Sequence, residues 1–226
     1  MAWVKDVLDK LRSKARPDQL EGMARYGMAV EHRLGVSVPE MRKLAKETGK
    51  NHELALELWK TGIAEARIVA AIVDEPDKVT ERQMEQWVKD IDSWDVCDQV
   101  CMNLFEKSPL AWNKIVDWSD REEELVKRTA FSLLACMAWH DKKAGDEQFI
   151  RLLPVIVRAA TDERNFVKKS VNWALRTIGK KNYNLNKTAI KTAEEIQLLD
   201  SKAARWIAAD ALRELKSEAV LRRLKK

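Results

Sequence analysis

The stretch FVKKSVNWALRTIGK, Phe166–Lys180, reads as a helix with two unlike faces. At 100° per residue Val167, Val171, Ala174, Leu175 and Ile178 fall on one stripe, the pattern of a helix laid against a core. Trp173 projects from nearly the opposite side, with Phe166, Lys169, Arg176 and Lys180 around it. Lysines and an arginine at one-turn intervals, interleaved with aromatics, can meet a phosphate backbone and a sugar or base together. A neighbouring element covering Trp173 fits the pattern too, provided that Lys169, Arg176 and Lys180 snorkel out from beneath it.

Nearly every other segment repeats at the same helical period, among them DQLEGMARYGMA, EARIVAAIVDE, SWDVCDQVCMNLFE, EELVKRTAFSLLACMAW and SKAARWIAADALREL. Counting such segments predicts an all-α chain of roughly a dozen short, consecutive helices. Ser108-Pro109 supplies an N-cap followed by proline at a first turn, and Thr80 with Gln83 makes a capping-box pattern. Pro154 lies within the apolar run of DEQFIRLLPVIVRAA and should interrupt that helix. Trp59, Trp94, Trp139, Trp173 and Trp206 recur at intervals of 35, 45, 34 and 33 residues. Those intervals suit stacked helix pairs, although the sequence between them is not visibly repetitive. A stacked array would expose an extended concave face, and a compact irregular bundle fits as well. No linker or low-complexity segment appears, so residues 1–226 are expected to form a single domain.

The 226 residues are 46% hydrophobic and 34% charged, the balance of a folded chain able to bury a core. Seven Gly and five Pro leave little turn chemistry for a many-stranded β protein. The net charge of +5 is unevenly spread: Arg164 to Lys191 carries eight Lys or Arg and no acid, whereas Asp117 to Glu124 carries five acids and one Arg. Cys97, Cys101 and Cys136 form no even disulfide framework, which points to half-buried thiols in a reducing compartment. The amphipathic N-terminus lacks the apolar run of a signal peptide and no segment approaches a membrane span, so a cytoplasmic location is expected.

Two further clusters stand off the apolar stripes. In ELVKRTAFSLLACMAW, Val126, Ala130, Leu133, Leu134 and Met137 share the core side, and Arg128, Ser132, Ala135 and Trp139 lie opposite. Small side chains beside an arginine leave a shallow surface open to a large partner; on this helix alone an ordinary solvated arginine with a partly covered tryptophan, or a second helical layer packed there, is the favoured reading. In SWDVCDQVCMNLF, Val96, Cys97, Val100, Cys101 and Leu104 mark the core, with Trp94 and Asp98 one turn apart at its edge. An indole face beside a carboxylate suits a cation, and also suits a packing tryptophan next to a capping aspartate. His32, His52 and His140 are scattered without metal-ligand spacing, and no GxGxxG, P-loop or GxSxG motif occurs. No metal or cofactor is expected.

GMARYGMAV, LGVSVPEMRKLAK, SWDVCD, VKRTAF and FVKKSVNWALR occur here in the order seen in the DNA alkylation repair glycosylases of the AlkD type. The sequence resembles that family from about Met23 to about Lys181; Trp-x3-Asp and Lys-x3-Trp-x2-Arg are the specific motifs. The resemblance implies a HEAT-like helical-repeat solenoid with a concave basic face that cradles duplex DNA. It implies a monomeric glycosylase that removes positively charged N3- and N7-alkylated purines, 7-methylguanine or 3-methyladenine, without flipping the base into a protein pocket. Carried over, Trp94, Asp98 and Trp173 fall in the family's catalytic cluster. Arg128 matches a cleft arginine, and Arg42, Lys169 and Arg176 match backbone-contacting positions. Lys180 extends that basic stripe, and Tyr26 aligns with a family tyrosine.

Two departures stand out. Ser93-Trp94 replaces the paired tryptophans that relatives can carry, and Cys136 occupies a position that can be basic. Some relatives in the wider superfamily bind distorted or branched DNA without excising a base, which is the alternative to excision.

Overall fold

Short side-chain caps and apolar stripes of helical period shape the chain throughout. The computed structural model describes residues 2–225, and among them helices are the only regular elements. The chain divides into two compact units, one ending at Ala111 and the other beginning at Trp112. The first holds α1 (Ala2–Ser13), α2 (Leu20–Arg25), α3 (Val38–Thr48), α4 (His52–Lys60), α5 (Ala64–Val73), α6 (Glu81–Asp90) and α7 (Trp94–Asn103). Starting at the boundary residue come α8 (Ala111–Ser119), α9 (Glu124–His140), α10 (Asp146–Ile150), α11 (Leu153–Ala159) and α12 (Asn165–Gly179). The chain continues through α13 (Tyr183–Gln197), α14 (Lys202–Leu215) and α15 (Glu218–Leu224). No described helix is long and apolar enough to cross a membrane.

The start signals act largely as the sequence suggests. Thr80 Oγ1 accepts from Gln83 N–H at 3.1 Å, and Asn51, Asn182, Ser201 and Ser217 cap α4, α13, α14 and α15 in the same way. The reciprocal half of the Thr80 capping box does not form: the Gln83 side chain turns to the buried Asp74 carboxylate, to which its amide N–H donates at 2.6 Å, and its Oε1 accepts no hydrogen bond. Pro154 falls in the first turn of α11 and separates it from α10, as expected of a proline in that run. Ser108 accepts from Leu110 N–H at 3.2 Å, but α8 begins only at Ala111. The DQLEGMARYGMA segment is not one helix: α2 stops at Arg25, and Gly27 takes a left-handed φ of 76° that turns the chain into an irregular segment, 26–37.

In the first unit Trp59 and Trp87 stack at 4.0 Å between centroids, and Leu58, Ile68 and Met84 are fully buried. The second unit is centred on α9 and α12. Val167, Val171, Ala174, Leu175 and Ile178, the predicted stripe of α12, are all fully buried. Gly179 ends that helix where a Cβ would overlap Leu215 and Ala189, so its lack of a side chain lets α13 and α14 approach closely. Asn186 seals the contact by donating to the Gly179 and Leu215 carbonyls. The three cysteines are fully buried rather than half-buried. The recurring tryptophans are not equivalent: Trp59 is buried, Trp94 and Trp173 are half-buried, and Trp139 and Trp206 are exposed. Their spacing therefore marks no shared packing position.

Candidate nucleic-acid interface

In the first unit, Trp94 opens α7 and Asp98 follows one turn later, both half-buried. The apolar side of α7 is set by Val96, Cys97, Val100 and Cys101, which are fully buried, so the indole and the carboxylate lie at the edge of the packed surface. The indole N–H of Trp94 donates to the Tyr26 carbonyl at 3.0 Å and ties α7 to the 26–37 segment.

That segment is pinned from two sides. Arg33, whose side chain is 3% exposed, makes a two-pronged pair with Asp95 at 2.7 and 2.8 Å and donates to the Ala29 carbonyl. Ser93 donates to Asp95 at 2.5 Å and accepts from Ala29 N–H and Arg33. The serine that stands where relatives can carry a second tryptophan is thus part of the clamp beneath Trp94. Deeper in, the fully buried Glu65 carboxylate accepts from the backbone N–H groups of Leu34, Gly35 and Val36. Gly35 has φ of 80°, and a Cβ there would collide with the Arg16 carbonyl. Tyr26 itself is 78% exposed, and Arg42 is exposed on α3 opposite the buried Met41, Leu44 and Ala45.

In the second unit, α12 packs along α9 and decides between the two readings of its small face in favour of a second helical layer. The small face of α9 is no shallow surface, because Ser132 and Ala135 are fully buried. Of the four residues placed on that side, Trp139 alone is exposed. Arg128 is 5% exposed; it donates to the Phe166 carbonyl at 2.9 Å and lies 6.0 Å from the Phe166 ring centre. Its guanidinium therefore fastens the first turn of α12 to α9.

The outward stripe of α12 meets acids from α14. Arg176 pairs with Asp210 at 3.2 Å and Glu214 at 2.8 Å, and Lys180 pairs with Glu214 at 2.6 Å. Lys169 stays exposed, and Trp173 borders a cavity of about 680 Å³. Reading α12 alone misses the two acids, although KAARWIAADALREL does place Asp210 and Glu214 one turn apart on a single face. Arg33 carries no comparable local signal. Among the described residues, no three His, Cys, Asp or Glu side chains gather as a metal site requires.

The model of the DNA alkylation repair enzyme family matches residues 7–215. The chain belongs to that family. Among curated proteins none matches. A solved structure from a family of proteins related to the HEAT-like repeat DNA glycosylases, with affinity for branched DNA structures, superposes with a TM-score of 0.78. It is 21% identical and the alignment covers 93% of this chain and 95% of that one, which establishes a HEAT-like repeat fold. An engineered protein aligns over 94% of this chain and 98% of its own at 15% identity, but its TM-score of 0.44 is too low to build on. The DNA alkylation repair family thus accounts for nearly the whole chain, where the quoted motifs span about Met23 to Lys181.

Proposed function

We propose that this member of the DNA alkylation repair family is a glycosylase that releases positively charged N3- or N7-alkylated purines from duplex DNA. The observation that carries the reading is the Trp94–Asp98 pair on α7, set by the Arg33–Asp95–Ser93 clamp and the Trp94–Tyr26 hydrogen bond. An alkylated purine is already cationic and departs with the bonding electrons as a neutral base, so no general acid is needed. The deoxyribose becomes oxocarbenium-like as the bond breaks. The Asp98 carboxylate stabilises that charge and orients the water that adds to the sugar, by the electrostatic logic of other glycosyl transfers. The face of Trp94 favours the same positive charge through its quadrupole. In the second unit Trp173 offers an aromatic face and Lys169 an exposed cation to DNA. Phosphate contacts of this kind set register rather than read sequence. The test is detection of free base and abasic sites after incubation with methylated duplex DNA; no release from any alkylated duplex would sink the reading.

One observation favours a second reading, a non-catalytic binder of branched or damaged DNA. Asp210 and Glu214 neutralise two of the cations that would grip a duplex backbone, and a structural relative has affinity for branched DNA. That reading predicts shape-dependent, salt-sensitive binding and no product.

A further inference from the structure

The second unit carries a cavity of about 680 Å³, within the range of small-ligand sites, which Trp173 and Lys180 border but whose remaining wall takes no part in the base excision proposed above. Its walls hold two indoles, Trp139 and Trp173, and four cations, Lys142, Lys180, Lys181 and Arg223. Three of those cations are steadied by carbonyls rather than by carboxylates. Lys142 donates to the Trp139 carbonyl at 2.7 Å, Lys181 to the Asp141 carbonyl at 2.6 Å, and Arg223 to the Lys180 carbonyl at 2.7 Å. Asp146, the acid in the wall, is taken up by the amides of Asn182 and Asn184 at 2.7 Å each. Burial, and then the charge of Lys142, hold the Lys181 ammonium below its ordinary pKa of 10.5, with Asp141 and Asp146 opposing. Positive charge is therefore gathered here at some electrostatic cost, beside an indole that is 53% exposed.

Trp139 stacks on His140 at 4.9 Å between centroids and still exposes half of its surface. Cations around a cavity and an exposed aromatic side chain make up the general chemistry that holds single-stranded nucleic acid, since every base has a face to stack. We propose that this cavity binds an unpaired nucleotide of a DNA strand, with its base against Trp139 and its phosphates among Lys142, Lys181 and Arg223. A volume of about 680 Å³ lined by four cations can take more than one phosphate, which favours a strand over a free mononucleotide. The proposal rests on the chain being a DNA-binding protein, not on base excision.

Binding is measured by anisotropy of dye-labelled tetrathymidylate to the full chain, with a base-free tetramer of the same phosphodiester backbone as control. Trp139→Ala and Lys142→Ala, both at exposed positions, are each expected to weaken tetrathymidylate binding about tenfold, and the base-free tetramer should bind about tenfold more weakly than tetrathymidylate. Equal affinity for wild type and both variants, or for both tetramers, overturns the proposal. Thymidine monophosphate competing as strongly as the tetramer assigns the cavity to a free nucleotide and overturns the strand reading. Base release from methylated duplex is followed on the same proteins. Release without tetramer binding removes this inference alone, and tetramer binding without release leaves it standing while removing the glycosylase.

Discussion

Trp94 and Trp173 are both half-buried tryptophans set off their helices' apolar stripes, yet they are held by opposite means. Trp94 sits on a clamp of buried, directional bonds: its own N–H to Tyr26, and beneath it the Arg33–Asp95 pair with Ser93. Trp173 sits on a helix face whose neighbours Arg176 and Lys180 are already occupied by Asp210 and Glu214. Rigidity marks the first region, and charge compensation the second. A reacting group must be fixed to within fractions of an ångström, because a carboxylate stabilises a transient cation only if it need not reorganise. A backbone-gripping surface needs net charge more than fixed geometry. Under the glycosylase reading proposed above, that difference would give the chemistry to α7 and backbone contact to α12.

The largest expected effect tests the first half of the contrast. Asp98→Asn keeps the shape and removes the charge, so base release should fall by about 100-fold or more with the thermal transition little changed. Equal rates for the two proteins would take the chemistry away from α7. Next comes the clamp. Arg33→Ala leaves the Asp95 carboxylate largely buried without its partner and should cost about 3 kcal/mol of stability, read from urea unfolding. Arg33→Lys should recover only part of that loss, since an ammonium cannot make both bonds to Asp95.

The sequence made the helices and their buried sides legible because amphipathic periodicity is local. All five stripe residues of α12 and all five of SWDVCDQVCMNLF are buried where the period puts them. It also placed Trp94 and Asp98 at the edge of a packed face. What periodicity cannot supply is the identity of whatever packs against the other side. Arg128, Ser132 and Ala135 look exposed on α9 only until α12 is laid over them. Arg176 and Lys180 look free only until α14, about 35 residues later, brings Asp210 and Glu214 to them. The Arg33–Asp95 pair is invisible for the same reason, since its partners are 62 residues apart and lie outside any common helix.

A smaller effect addresses the second half of the contrast. Glu214→Gln releases Lys180 and part of Arg176, so duplex affinity should rise by about threefold to tenfold and the logarithmic salt slope should steepen by about one to two phosphates. Arg176→Ala in the wild-type background should change affinity less than Lys169→Ala, because Arg176 is already committed to two carboxylates. If Glu214→Gln leaves both affinity and salt slope unchanged, α12 is not a contact surface and the contrast with α7 collapses.

The smallest effect concerns how α12 is held at its start. Asp162 accepts from the Arg164 backbone N–H at 3.1 Å and pairs with its guanidinium at 2.9 and 2.6 Å, and Lys127 of α9 stands 3.4 Å away. The hydrogen bonds from Arg164 are the main cause that lowers the Asp162 pKa below its ordinary 3.8, outweighing the opposing effect of burial. A depressed carboxylate pKa means that folding favours the ionised form. The stabilisation is therefore complete above the unfolded-state pKa near 4 and drains away as pH falls through the lower folded-state value. Arg164 is partly exposed, which screens the pair, so the contribution is about 1 kcal/mol. Asp162→Asn should lower stability by that amount at pH 7, and the gap from wild type should narrow and close as pH falls below the ordinary carboxylate range. Because the contact anchors α12 without touching Trp173 or its cations, the variant should leave DNA affinity at pH 7 unchanged. A loss of affinity equal to that of Lys169→Ala would show that the contact surface on α12 depends on rigidity after all, as α7 does.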